Sequence, residues 1–412
     1  MKNCFIIILL SVFMVPDSHA SVIKVCERCN HIDLLKAIAS SRPYDTIIIS
    51  GGFYEVENVI IKHPLVILGE KDATIKSKSG DEVFTVLADS TTISGLTIRD
   101  VTTSYMKERS GIRIKRANHF TISNNILIDC FFGIYIEHGT HGEIYNNELR
   151  GNATTEAESG NGIHAWYSDY LEIYDNTVMG HRDGIYFEFV NDSKIINNHS
   201  EKNKRYGLHF MFSNDDSYQD NTFLNNGVGV AVMFSRRIEM RRNVFEKNWG
   251  RSAYGLLLKE IYDAEILNNK FKENTIGIFV EGSNRINYHF NDFNRNGWAL
   301  KFSGGCEDNE ISQNNFIDNS LDLVVNTKLS SNRFYKNYWS EYSGYDLDKD
   351  QLGDVPHYPV KLFSYVLDKA PEAIVLMRSL FVDIINFSEK ISPVFTPKDV
   401  MDDSPLMFPV ND

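Results

Sequence analysis

From Gly111 onward the chain repeats one short apolar alternation. A glycine is followed, one and three places on, by apolar residues: Ile112/Ile114, Ile134/Ile136, Ile163/Ala165, Ile185/Phe187, Leu208/Phe210, Val230/Val232, Leu256/Leu258 and Ile278/Val280. Successive glycines lie 22, 29, 22, 23, 22, 26 and 22 residues apart. An asparagine stands 14 residues after each one: Asn125, Asn147, Asn176, Asn198, Asn221, Asn243, Asn269 and Asn291. All length variation therefore falls between an asparagine and the next glycine. Period-two alternation with many β-branched and aromatic residues reads as strand. A period near 22 with short strands fits stacked coils. The pattern predicts an all-β fold, a right-handed parallel β-helix. The asparagine suits a tight turn because it tolerates left-handed backbone, and stacked asparagines can form an amide ladder.

The phase of the repeat assigns faces. If the first and third places point into the lumen, the second and fourth point out. The outward pairs include Tyr135/Glu137, His164/Trp166, Tyr186/Glu188, His209/Met211 and Ala231/Met233. Coils stack about 4.8 Å apart. His164, Trp166, Tyr186, Glu188, His209, Met211 and Met233 are thus expected to form one contiguous patch, with the two methionines in one column. Two thioethers and an imidazole suit Cu(I). The same residues also read as a protein-binding or loop-covered aromatic–methionine patch, or as a sugar platform. Extra residues at 148–161 and 244–254 flank these coils, and the first is expected to be a mobile loop.

The ends carry other signals. Lys2, an apolar Phe5 to Val15 and the small-x-small run Ser18-His19-Ala20 predict a secretory signal cut after Ala20. No later run of 18 uninterrupted apolar residues occurs, so the mature chain is expected outside the cytoplasm and soluble. The expected organisation is a signal over 1–20, a cap over 21–43 with an amphipathic helix from Ile32 to Ala39, a β-helix over 44–340, an acidic end segment over 341–370 and a tail over 371–412. Net charge is −13, which argues against a nucleic-acid partner. Cys26 and Cys29 form a C-x-x-C, read as a local disulfide in an oxidising compartment or as a soft-metal or redox pair.

Asp346, Asp348, Asp350 and Asp354, with the Leu352 carbonyl, resemble the first part of a Ca²⁺-binding loop. Gln351 stands where glycine is usual, and the twelfth position lacks a bidentate glutamate; the alternative is an acidic turn. In the tail, Glu372 to Asn386 is apolar on more than one face and too short to span a membrane. Phe381 and the closing Pro405, Leu406 and Met407 are expected either to dock on a partner or to fold back as a cap.

Several runs together resemble the NosD family. They are Asn161-Gly162-Ile163-His164, Arg182-Asp183-Gly184-Ile185-Tyr186, Arg205-Tyr206-Gly207-Leu208-His209-Phe210-Met211-Phe212, Asn337-Tyr338-Trp339-Ser340-Glu341-Tyr342 and Pro405-Leu406-Met407. The resemblance implies a periplasmic, non-catalytic accessory protein of an ABC-type complex with permease and ATPase subunits. It implies a role in assembling the copper centres of nitrous oxide reductase, with Cu(I) arriving from a membrane-anchored copper chaperone, the apo reductase as a further partner and the tail held by the permease. The competing class is a polysaccharide lyase, hydrolase or epimerase on the same scaffold, with Glu137 and Glu188 as paired carboxylates.

Overall fold

A computed structural model describes residues 20–410 except 31–32, 105, 251–252, 327–328, 330, 377–378 and 392–399. The expected signal through His19, the first residue of the expected cap helix, Ile32, and Pro393 and Pro397 lie outside the described residues. The chain winds into a right-handed parallel β-helix of about 13 turns. Three parallel sheets of 14, 12 and 13 strands run its length, each strand pairing with its counterpart one coil away. The 12-stranded sheet holds the glycine segments and is called the glycine sheet below.

The lumen is dry and apolar. Every first- and third-place residue, from Ile112 to Val280, is buried. Below the glycine sheet, Phe223, Phe245, Phe271, Phe293, Phe316 and Trp339 stack face to face at 4.1–5.4 Å between ring centroids. Such stacks add to the hydrophobic gain of burial.

The repeated asparagines do form a ladder. The Nδ2 of each, from Asn125 to Asn314, donates to the Oδ1 of the next at 3.0–3.1 Å. Each Oδ1 also accepts the backbone N–H of the asparagine one coil back. The left-handed turn residue, however, is the one before: Asn124, Asn146, Asp175, Asn197, Asp220, Arg242, Asn268 and Phe290 have φ of 52–57°. The ladder asparagine is the buried residue after the bend, chosen for its amide and not for its backbone freedom. A second ladder lies five residues on, through Asn203, Asn226, Asn248, Asn274, Asn296 and Asn319.

Both open ends are closed. At the N-terminal end Val22–Val25 pairs with Thr46–Ile49, so the sheet begins inside the segment expected to be only a cap. Helix α1 (Leu34–Ser40) buries Leu34, Ala37 and Ile38 there, with Asp33 Oδ1 accepting the Leu35 N–H at 2.9 Å. Cys26 and Cys29 are joined as a disulfide.

The closing residues of the tail fold back as a cap, one of the two expectations for them. After helices α2 (Leu362–Lys369) and α3 (Leu380–Ile391), residues 400–410 fold back across the last coil. Asp402 is fully buried and stands where the next ladder asparagine would be. Its Oδ2 accepts from the backbone N–H (3.0 Å) and Nδ2 (3.1 Å) of Asn337 and from Trp339 Nε1 (3.0 Å). Pro405, Leu406 and Met407 belong to this clasp: the Pro405 carbonyl accepts from Gly353, Leu406 N–H donates to Asn337, and Met407 N–H donates to Gln351. A carboxylate ends the ladder well because it accepts without needing an acceptor in turn.

Three outcomes follow. Asn221→Ala should lower stability by about 2–4 kcal/mol in chemical denaturation, because it strands buried donors and acceptors on both neighbouring coils. Phe290→Asn, at an exposed left-handed position, should instead raise it by about 0.5–1 kcal/mol. Asp402→Ala should unclasp the tail, read as new cleavage by a non-specific protease within 400–410 while the coils stay resistant.

Candidate functional site

The registry places the expected patch as the alternation requires. On the outer side of the glycine sheet, Tyr135, His164, Tyr186, His209 and Ala231 are successive partners in one column. Glu137, Trp166, Glu188, Met211, Met233 and Lys259 form the next. All seven candidate residues therefore share one face, and Met211 and Met233 are direct neighbours.

Their accessibility differs from the expectation. The inner column is packed sideways: rings of Tyr135, His164, Tyr186 and His209 follow one another at 4.6–4.7 Å. Phe132 and Tyr206 close on the ends, against His164 and His209. His164, Tyr186 and His209 point away from the lumen yet are only 5–8% exposed. Burial pushes the His164 imidazole down to about 3, and burial also lowers that of His209, with nearby Asp183 pulling the other way. Both rings are neutral at ordinary pH. Asn161 Nδ2 meets His164 Nδ1 at 3.0 Å, while His164 Nε2 and both His209 nitrogens have no hydrogen-bond partner.

A buried charge lies beside them. Asp183 is fully buried, and Arg205 forks onto both its oxygens. Burial pushes its pKa up, but the His209 ring 3.8 Å away and the Arg205 guanidinium outweigh that and hold it at about 2. This pair is a fixed dipole under the imidazoles. It was not foreseen, although the Asp183 and Arg205 positions fall at neighbouring offsets from their glycines.

The half-buried outer column is the reachable part. Met211 Sδ lies 3.8 Å from Tyr186 Oη. Glu188, between Trp166 and Met211, has no ion-pair partner among the described residues, whereas Glu137 faces Arg113 at 3.6 Å and Lys115 at 3.5 Å. The accessible groups are thus two thioethers, an indole and one free carboxylate, with imidazoles just behind. That donor set fits a soft monovalent metal ion as cargo.

A further feature was missed. One place beyond the outer column, Tyr167, Phe189, Phe212 and Phe234 stack at 4.5–5.1 Å along a solvent-facing corner. The signal was present in the sequence as an aromatic following each of Trp166, Glu188, Met211 and Met233.

The insertion at 148–161 is pinned near its ends. Ala153 N–H donates to Gly180, the Arg182 N–H donates to Gly160, and Thr103 Oγ1 donates to the Glu158 carbonyl.

The other expected sites are partly assembled. Carboxylates of Asp346, Asp348 and Asp350 converge to within 4.8 Å of one another. Asp354 does not join them; its Oδ2 accepts the Leu347 N–H at 2.6 Å, and Leu352 bridges to Leu406. Gln351 takes the left-handed turn (φ 72°) that glycine usually supplies. On α3, Leu380, Phe381, Ile384 and Phe387 are more than half exposed, while Val382 packs with Leu321, Val324, Phe363 and Leu367. Among the described residues no helix is long and apolar enough to cross a membrane.

Residues 150–346 match the family described as periplasmic copper-binding protein (NosD), and residues 55–177 match a right-handed β-helix region. A Stutzerimonas stutzeri protein named probable ABC transporter binding protein NosD is 27% identical over 367 residues, 84% of this chain and 83% of that one. A Pseudomonas aeruginosa protein of the same name is 30% identical over 112 residues, 26% of each chain. Among solved structures, a PL6 alginate lyase bound to a trisaccharide superposes with TM-score 0.58 at 12% identity, covering 77% of this chain and 85% of the lyase. The A-module of the Azotobacter vinelandii epimerase AlgE6 gives 0.55 at 16%, covering 74% and 89%. These two share the fold only. Over the coils that carry the methionine column this chain is similar to NosD proteins.

Proposed function

We propose that this protein is a non-catalytic accessory protein of an ABC-type complex that handles Cu(I) during assembly of the copper centres of nitrous oxide reductase. The observation that carries the reading is the Met211–Met233 pair on adjacent coils, beside Trp166 and Glu188 and in front of His209. Thioethers bind Cu(I) without competing for protons, and an indole face can sit over a cation. The neutral imidazole of His209, 3.8 Å from the Asp183 carboxylate, is a third donor within the same patch, reached if its ring turns outward. Glu188 supplies negative charge against the monovalent ion. A half-exposed site of this kind suits transfer better than storage, since a cargo must also leave.

The exposed apolar side of α3 supports docking to the permease. Phe381 remains in that role; Pro405, Leu406 and Met407 act through the clasp that holds the end of the solenoid. Copper would arrive from a membrane-anchored chaperone and pass to the apo reductase. In this reading the Asp346–Asp350 turn is a minor Ca²⁺ site that stiffens the same end.

The polysaccharide-enzyme reading has less support. Glu137 is tied to two cations, and Tyr186, His164 and His209 are shielded from any bound chain. The named relatives are binding proteins.

Two measurements test the proposal. Met211→Leu/Met233→Leu should lower Cu(I) affinity about tenfold or more in chelator competition, with the melting temperature unchanged because leucine conserves the volume. Lowering the pH from 7.5 to 6 should weaken wild-type affinity less than it would for a site of exposed histidines, because thioethers take no proton and burial has lowered both imidazole pKa values. An affinity unaffected by the double substitution would remove the site. Separately, Phe381→Glu/Ile384→Glu should release the chain from its membrane complex in co-purification while leaving Cu(I) affinity intact; undiminished retention would exclude α3 as the anchor.

A further inference from the structure

The corner stack of Tyr167, Phe189, Phe212 and Phe234 is costly in two ways. Each residue has φ of 45–54°, in the left-handed region that bulky side chains avoid. Tyr167 is 44% and Phe212 37% exposed to water. The chain has cheaper ways to turn this corner. On the same column His138 precedes the four and stacks on Tyr167 at 5.5 Å, Arg116 stands one coil before it, Glu260 follows Phe234, and Gly282 and Gly304 come next. Three residues further along the coil, a parallel column of left-handed corners starts with the rings of His119, His141 and Tyr170 and on later coils is built from cross-coil ion pairs, Arg237 with Asp215 and Arg285 with Asp263. In this column ring-bearing corners run over five successive coils, from His138 to Phe234, four of which carry Trp166, Glu188, Met211 and Met233. Strain and exposed apolar surface that coincide with a candidate site point to recognition.

We infer that this aromatic corner is the docking rail for the protein that exchanges copper with the methionine pair, and that it takes an extended segment bearing methionine and basic side chains. The identity of the cargo rests on the reading above; the docking surface itself does not. Three properties select the occupant. The ring faces are consumed by mutual stacking, so a sugar ring finds no open face to lie on along the rail, and only ring edges are offered. Thioether sulfur favours the edge of an aromatic ring. Glu188, Asp192 and Glu260 border the rail without ion-pair partners among the described residues, against Arg236 as the one bordering cation likewise unpaired, so the surroundings favour a positive segment. The ring spacing of 4.5–5.1 Å follows the coils. A segment running along the solenoid axis would therefore pass its side chains over successive rungs, one residue away from the methionine column.

The test uses the full mature chain and a fluorescein-labelled 14-residue peptide carrying two Met-x-x-Met segments between lysines, metal-free, followed by anisotropy. Wild-type protein should bind it, and Phe189→Asn/Phe212→Asn should weaken binding at least tenfold. Asparagine suits the left-handed corner, so the melting temperature should shift by no more than a few degrees. Phe234→Asn, which removes only the end rung, should give a smaller loss. Met211→Leu/Met233→Leu should keep peptide binding within about threefold while losing Cu(I). No binding to wild type, equal binding to the double variant, or tighter binding of an oligomannuronate than of the peptide would each overturn the rail. So would a fall in melting temperature above about 10 °C in both asparagine variants, which would make the stack a structural element. Peptide binding by a wild-type protein that takes no Cu(I) would retain the rail and remove the copper reading.

Discussion

Every outward feature of this molecule depends on one buried hydrogen-bond chain. Asn125 to Asn337 pass Nδ2 to Oδ1 coil by coil, and each Oδ1 also takes a backbone N–H. An amide that must meet the next amide at 3.0 Å leaves no freedom to slip by a residue, because a slip would strand a donor and an acceptor in a dry lumen. Insertions are therefore expelled to the stretch after the asparagine, where 148–161 and 244–254 lie. With phase fixed, residues four places after each glycine fall into straight columns. Met211 and Met233 meet because the ladder beneath them is in register.

The same constraint explains why the patch is graded and not uniformly open. Side chains in one column stand about one coil apart, which is also the thickness of a stacked ring. Tyr135, His164, Tyr186 and His209 fill their column and exclude water from one another. The outer column contains flexible methionines and a carboxylate and stays reachable. Desolvation then keeps the imidazoles neutral, and buried Asp183, paired with the partly exposed Arg205, sets the local field. A soft ion arriving at the surface meets thioethers first and imidazole second.

Much of this was legible in the chain. The glycine–asparagine spacing carried the fold and the register, and parity carried the face of each patch residue. Burial was not legible, because whether His209 is open depends on how its neighbours in other coils, Tyr186 and Tyr206, pack against it. The left-handed turn was placed one residue late: asparagine has two uses, turn-former and amide donor, and its sequence position cannot say which. The tail was ambiguous for the same kind of reason. Asp402 is an ordinary acidic residue in an apolar stretch until the ladder shows an end that needs an acceptor. The corner aromatics were in plain sight at a constant offset, but their meaning came only with their φ and their exposure.

Polysaccharide lyases and epimerases of similar fold show that the scaffold itself does not decide function. What separates this chain is where polar groups are spent. A general acid–base pair needs carboxylates or phenols that reach a substrate and can change protonation. Here Glu137 is held by Arg113 and Lys115, Tyr186 is buried with its hydroxyl on Met211 and its pKa pushed up by burial, and the buried imidazoles stay neutral. The groups left reachable are sulfur and indole, which do not titrate, and the single carboxylate of Glu188, with aromatic edges beside them. A surface so composed can hold and release a soft ion and recognise what brings it, and it offers little means of moving protons.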